Sequence, residues 1–310
     1  MTQEIDAVER QAKAEALLSA LLFSSYSTLA VGVTANHPRT IRIYACLICS
    51  TRVERGPAAL SCVIVMAQQP PRHTEKRAMK VIGLVGGMSW NSTLEYYRII
   101  NESVDRRLGG MHSARLVLYN LDFNELQRAQ HEGHWDNIAG ILVEAGSAAK
   151  RAGADFLVIC TNAMHKVADD VERKVGLPVL HIADVTGAAV RGRGVHTVGL
   201  LGTRFVMEGS FYRDRLRERF DIEVLVPVEA DMDTIHRIIY DELCQGRINP
   251  SSRRVCADIV DNLISKGAEG VVLGCTELPL LIRPGDVYDP LFDTTRLHAE
   301  AAVDLALAEG

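Results

Sequence analysis

The sequence predicts an α/β fold of two pseudo-symmetric domains, each with a mainly parallel sheet flanked by helices, and with the active site in the cleft between the domains. Three observations carry this. Residues 153–165 (GADFLVICTNAMH) overlay residues 267–279 (GAEGVVLGCTELP) without a gap, pairing Gly153 with Gly267, Ala154 with Ala268 and Asp155 with Glu269. Residues 81–88 (VIGLVGGM) resemble residues 198–205 (VGLLGTRF), with Gly83 against Gly199 and Gly86 against Gly202. Both echoes are offset by about 115 residues, as expected of one α/β unit used twice.

From Met79 onward the chain keeps a regular βα rhythm. Residues 80–85 read as a strand, Gly86 and Gly87 as its turn, and 92–107 as a helix with Leu94, Tyr97, Ile100 and Val104 on one face. A strand over 114–119 and a helix over 134–152 follow, then a strand over 156–160, a helix over 162–175 and a last strand over 177–182. In the second half, strands are expected over 197–201, 223–226, 270–273 and 291–292. Helices are expected there over 206–220, 231–245, 251–266 and 297–309. The apolar runs at 156–159 and 271–273 have the length and β-branched content of strands buried on both faces. This divides the chain into residues 79–186 as the first domain, 187–292 as the second, and 1–78 as an extension outside this fold.

The extension differs in composition: nine Lys/Arg stand against six Asp/Glu there, whereas the whole chain carries −5. Residues 3–23 read as an amphipathic helix. Residues 16–36 hold no charged side chain, but Ser, Thr and Tyr dilute them and Glu4, Asp6 and Glu9 precede them, which argues against a membrane span or an export signal. An appendage dispensable for the fold, or sequence upstream of a start at Met79, is the reading favoured. Among 310 residues, 47% hydrophobic and 24% charged content is that of a globular protein, and the net negative charge gives no support for nucleic-acid binding. Seven widely spaced cysteines fit reduced thiols and a cytoplasmic setting, and the lone Cys46/Cys49 pair lacks a second pair of ligands. No H-E-x-x-H and no cluster at metal-ligand spacing is present, so no metal is expected.

Ligands of open parallel sheets bind beyond the carboxyl ends of the strands, which here points to Thr161, Asn162, Cys275, Thr276 and Glu277. Cys275 precedes a short helix whose N-terminus would favour its thiolate, a base and a nucleophile. Thr161 is its counterpart in the repeat, with Cys160 one residue earlier. Strand residues alternate sides, so the repeat turns Thr161 to the cleft and Cys160 to the core, while Cys160 stays open as the alternative functional group. Gly86 and Gly87 lack the spacing of a nucleotide-binding loop and suit a carboxylate instead. Among the ten histidines, His165 and His181 lie nearest the strand tips.

The motifs GLVGGMSWNST, CTNAMH, LLGT, GCTELPLL and FDTTRLHAEAAV, in this order, resemble the PLP-independent aspartate/glutamate racemase family, and within it the bacterial broad-specificity amino-acid racemases. The resemblance runs from Met79 almost to the C-terminus. It implies a terminal helix, residues 293–310, that returns to the first domain, cofactor-independent racemisation or epimerisation of a small-molecule amino acid, two acid/base groups on opposite faces of the α-carbon, and a homodimer. Cys275 and Thr161 fall at the two catalytic positions, and Met88, Asn162, Ala163, Thr203, Thr276 and Glu277 at ligand-holding ones. The family's first motif is Cys-Asn-Thr-x-His; here Thr161 replaces the cysteine and Ala163 the threonine, which makes the pair chemically asymmetric. Basic residues for a distal carboxylate are replaced by Leu126 and Cys244, with Arg128 and Arg247 close by. A single-cysteine decarboxylase using Cys275 alone and a non-catalytic amino-acid-binding protein are the alternatives.

Overall fold

Two all-parallel sheets form because two short apolar strands, one in each half, accept partners on both edges. The computed structural model describes residues 79–287 and 290–308, all within one compact unit. The expected helix over 3–23, the uncharged stretch 16–36 and the Cys46/Cys49 pair lie outside the described residues. Strand β1 (Ile82–Gly86) is buried throughout and sits between β2 (Leu116–Asn120) and β3 (Phe156–Ile159), with Ile82 registered on Leu116 and on Phe156. Strand β4 (Thr197–Leu201) holds the same place in the second sheet, ordered β5 (Glu223–Leu225), β4, β6 (Gly270–Leu273), β7 (Leu291–Asp293).

Both sheets switch direction at their central strand. The chain leaves β1 to pair on one side and returns to pair on the other, and β4 does the same, so a crevice opens at the carboxyl ends of β1 with β3 and of β4 with β6. The internal repeat extends to individual hydrogen bonds. Asp155 N–H donates to Val81 O and the Asp155 carboxylate accepts from Val81 N at 2.6 Å. Glu269 N–H donates to Thr197 O, and its carboxylate accepts from Thr197 N at 2.9 Å. Gly153 and Gly267 both hold positive φ (97° and 104°), which lets each chain turn from helix into strand.

Helices cover the sheets as α1 (Trp90–Leu108), α2 (Phe123–His131), α3 (Trp135–Arg151), α4 (Ala168–Val175), α5 (Ile182–Gly192), α6 (Arg204–Met207), α7 (Ser210–Phe220), α8 (Glu229–Arg237), α9 (Pro250–Ser265), α10 (Leu278–Leu281) and α11 (Thr294–Leu307). The terminal α11 packs against α1 and α5 and closes the core of Ile82, Leu84, Tyr96 and Phe156 with Ala299, Ala302 and Val303. None of the described helices is long and apolar enough to cross a membrane.

The differences from expectation have identifiable causes. Helix α1 buries Tyr96, Ile99, Ile100 and Val104, while Leu94 and Tyr97 are exposed, so the face is rotated from the apolar one read off the sequence. Small hydroxyl residues share the buried face and find partners there, as when Thr93 Oγ1 accepts from Gly87 N at 2.8 Å and donates to Ser89 O at 3.0 Å. The strand expected over 177–182 is reduced to one bridge between Val179 and Leu157. Residues 162–175 divide into a 3₁₀ turn (Ala163–Val167) and α4, and residues 206–220 divide at Gly209 into α6 and α7. Helices α2 and α5 were not expected; the first carries a legible start in Asp122, whose carboxylate accepts from Asn124 N at 3.0 Å.

The turn after β1 is the tightest point in the loops that reach the crevice. Gly87 has φ 93°, and a Cβ there would lie 2.1 Å from Leu121 O. Neither strain nor clash can relax, because Leu121 N is itself bonded to Gly86 O at 3.0 Å. Gly87→Ala is expected to destabilise the fold by about 2 kcal/mol or more, measured as a lowered midpoint in urea against wild type.

Candidate active site

Loops at four strand ends deliver the site. Met88 and Ser89 follow β1, Thr161, Asn162, Ala163 and Met164 follow β3, Thr203 and Val206 follow β4, and Gly274, Cys275, Thr276 and Glu277 follow β6; all line one cleft. Phe123 and Gln130 of α2, with Ile239, Tyr240 and Cys244, complete its wall. The eight residues named from the sequence as catalytic or ligand-holding therefore meet in one place. Cys160 does not join them: it is fully buried among Ile82, Leu84 and Tyr96, and burial pushes its thiol well up. Leu126 lies in the first-half core, and Arg128 and Arg247 are exposed; none of the three lines the cleft, and no Lys or Arg does among the described residues.

Glu277 is the hub. It is 3% exposed, and its carboxylate accepts from Ser89 Oγ at 2.7 Å and Ser92 Oγ at 2.6 Å on one oxygen. The other oxygen accepts from Cys275 Sγ at 3.0 Å and Thr276 Oγ1 at 2.9 Å. Ser92 and Thr276 also meet directly at 2.5 Å, so hydroxyls at the start of α1 and a carboxylate at the end of β6 clamp the cleft from both sides. A buried carboxylate needs such donors, since an unpaired one is costly. Ser89 and Ser92 were missed from sequence, although their spacing of three at a helix start is a signal for two hydroxyls on one side of the first turn.

The Cys275 thiol is pushed well up, first by burial, then by the Glu277 carboxylate and by Cys244, against a smaller opposing contribution from the Glu277 backbone N–H. This differs from the lowered value expected at a helix N-terminus. Helix α10 is one turn long, and a carboxylate 3.0 Å from the sulfur outweighs its dipole. The resting group is a thiol with a proton acceptor already in hydrogen-bond reach.

Three buried polar atoms in the lining have no partner within the protein: Asn162 Oδ1, Thr203 Oγ1 and Gln130 Nε2. They can accept from and donate to a small polar ligand. Asn162 is held by its other end, Nδ2 donating to Thr294 Oγ1 at 3.0 Å, which in turn donates to Leu273 O at 2.8 Å. Its oxygen is thereby fixed toward the remaining role of acceptor.

Beneath the Thr161 loop lies a cluster of three buried imidazoles. His165 Nδ1 donates to Thr161 O at 2.7 Å, His298 Nε2 donates to Leu180 O at 2.7 Å, and Tyr96 OH donates to His298 Nδ1 at 2.8 Å. His181 caps α5, accepting from Ala183 N at 3.2 Å, and its ring centroid is 4.7 Å from that of His165. Burial is the first cause lowering all three: His165 to about 4, His298 to about 3, and His181 further still. Among the described residues no group of three or more His, Cys, Asp or Glu is arranged to hold a metal ion.

The Asp/Glu/hydantoin racemase family matches residues 85–302, which contain every residue of this cleft. The chain belongs to that family. A Yersinia pestis protein described as an Asp/Glu racemase is 49% identical in sequence, with a TM-score of 0.70 over 74% of this chain and 100% of its own. An aspartate racemase homologue from Pyrococcus horikoshii is 36% identical, with a TM-score of 0.66 over 74% and 99%. The glutamate racemase of Exiguobacterium sibiricum is 29% identical over 49% of this chain, a match spanning 58% of that enzyme. At the family level the chain is an amino-acid racemase, an isomerase, and its two parallel sheets flanked by helices are the fold of these relatives.

Two outcomes follow from this racemase-family site. Removing the Glu277 carboxylate strands three hydroxyls and a thiol, so Glu277→Ala is expected to lower stability by about 3 kcal/mol and Glu277→Gln by roughly half as much, read in urea melts. The histidines bind fewer protons folded than unfolded between about pH 4 and pH 6.5, so stability is complete above that window and falls as pH drops through it. The expected loss is roughly 1 kcal/mol per buried histidine at pH 5.5, with proton uptake on unfolding at that pH, measured by calorimetry in two buffers of different ionisation enthalpy.

Proposed function

We propose that the chain is a cofactor-independent amino-acid racemase or epimerase in which Cys275 and Thr161 act on opposite faces of the substrate α-carbon. The observation that supports it most directly is the equivalence of the two positions. Each follows the last ladder bond of a matching strand pair, Cys160 N to Val85 O at 2.9 Å and Gly274 N to Leu201 O at 2.6 Å, and both line the same cleft. Asn162 Oδ1 and Thr203 Oγ1 suit the ammonium, and backbone N–H groups at the two following turns, outside intrahelical pairing, suit the carboxylate. The absence of Lys and Arg from the described lining favours amino acids beyond the dicarboxylates.

In this reading the Cys275 proton passes to Glu277, the acceptor 3.0 Å from the sulfur, and the thiolate removes the α-proton. Hydrogen-bond donors on the carboxylate stabilise the carbanion, and the Thr161 hydroxyl returns a proton from the other face; solvent then re-protonates Thr161 and takes the proton held by Glu277, which restores the resting state. A hydroxyl is a poor base, so the reverse path is harder at the proton-transfer step. Enantiomers have equal free energies, so kcat/KM must match in the two directions; the asymmetry appears in kcat and KM separately and in exchange without inversion.

The test is α-proton exchange in deuterated water over both enantiomers of a panel of amino acids without added cofactor, followed by NMR and chiral chromatography. Inversion with exchange is expected, Cys275→Ala is expected to lower it by about 10³-fold or more, and Thr161→Cys to bring the two kcat values together. Full activity in Cys275→Ala would remove the assignment.

A further inference from the structure

We propose that His165 is a positioning residue for the proton-returning side of the reaction: its imidazole Nδ1–H fixes the Thr161 carbonyl and with it the Thr161 hydroxyl. This rests on the racemase reading above. In an α-helical turn the carbonyl of residue 161 would accept from the backbone N–H of residue 165. Here that N–H is drawn to Asn162 O at 3.1 Å, in 3₁₀ fashion, and the Thr161 carbonyl is taken by the His165 side chain at 2.7 Å. The side chain thus supplies the bond that regular geometry has given up, at a residue that lines the cleft.

The ring's surroundings suit this role. It is 3% exposed, its other nitrogen has no partner within the protein, and the His181 and His298 rings pack against it at 4.7 and 5.5 Å. An apolar side chain would avoid burying that unpaired nitrogen, so the Thr161 bond is what the imidazole provides there. The second half needs no equivalent: the repeat puts Pro279 opposite His165, and Cys275 is held instead by Glu277 Oε2 at 3.0 Å. The two acid/base positions are aligned by different means, one through the side chain itself and the other through its backbone.

The consequence is specific to one face. For the enantiomer whose α-proton faces Cys275, exchange with solvent without inversion reports the Cys275 side, whereas inversion also needs Thr161. A displacement of about 1 Å at a reacting group lowers rate by about 10²-fold. His165→Leu is therefore expected to lower inversion about 10- to 100-fold relative to exchange. His165→Asn, whose amide N–H lies about where Nδ1–H does, should restore the ratio to within about threefold, and His165→Gln, one methylene longer, should not. If His165→Leu fails to fold, the contrast between Asn and Gln decides the matter. Exchange and inversion falling together, or a ratio unchanged in all three variants, would overturn the proposal while leaving the racemase reading intact. A wild-type protein that exchanges no amino acid would remove both.

Discussion

A buried carboxylate accepting four hydrogen bonds, two from each half of the molecule, is the constraint around which the cleft is built. Ser89 and Ser92 enter at the start of α1, and Cys275 and Thr276 at the end of β6. Each donor is nearly useless elsewhere: buried hydroxyls and a buried thiol need an acceptor, and Glu277 needs donors. Satisfying them together sets the distance between the strand ends and places the thiol beside a proton acceptor. Cleft geometry and thiol chemistry therefore have one origin, and any hinge-like opening must break the serine bonds that define the acceptor's charge environment.

Much of this arrangement was legible from sequence because it rests on local chemistry. The apolar runs became β3 and β6, Gly153 and Gly267 became the positive-φ turns before them, and the gapless repeat reappeared as matched ladder bonds at Cys160 and Gly274. The alternation of side chains along β3 separated Thr161 in the cleft from Cys160 in the core. What was not legible depended on distant partners. The buried face of α1 is lined partly by hydroxyls whose acceptors lie up to 185 residues away, so hydrophobic pattern selected the wrong stripe. The thiol's raised pKa comes first from burial and then from the Glu277 carboxylate, neither of which a helix-dipole argument weighs. Helix α5 began at a histidine cap, a residue outside the usual capping set.

The halves match in backbone and differ in chemistry. Asp155 and Glu269 perform the same bracing of the central strand, yet the tips that follow present an alcohol on one side and a thiol on the other. The surroundings follow the difference. A cluster of neutral imidazoles underlies the alcohol, whereas a carboxylate adjoins the thiol. Duplicated architecture supplies two opposed positions at equal depth, and side-chain divergence then gives each its own acid/base character.

Helix α11 leaves the second sheet at Asp293 and completes the first half's core, and near its end Ala306 O accepts from Lys80 N at 2.8 Å. During synthesis the first half therefore emerges without one wall. Tyr96, whose hydroxyl awaits His298, and the apolar faces of Ile82 and Leu84 stay uncovered until residues 294–307 leave the ribosome. The first half's core is closed by a segment made long after its central strand, so until then its apolar faces are the kind of surface that chaperones cover.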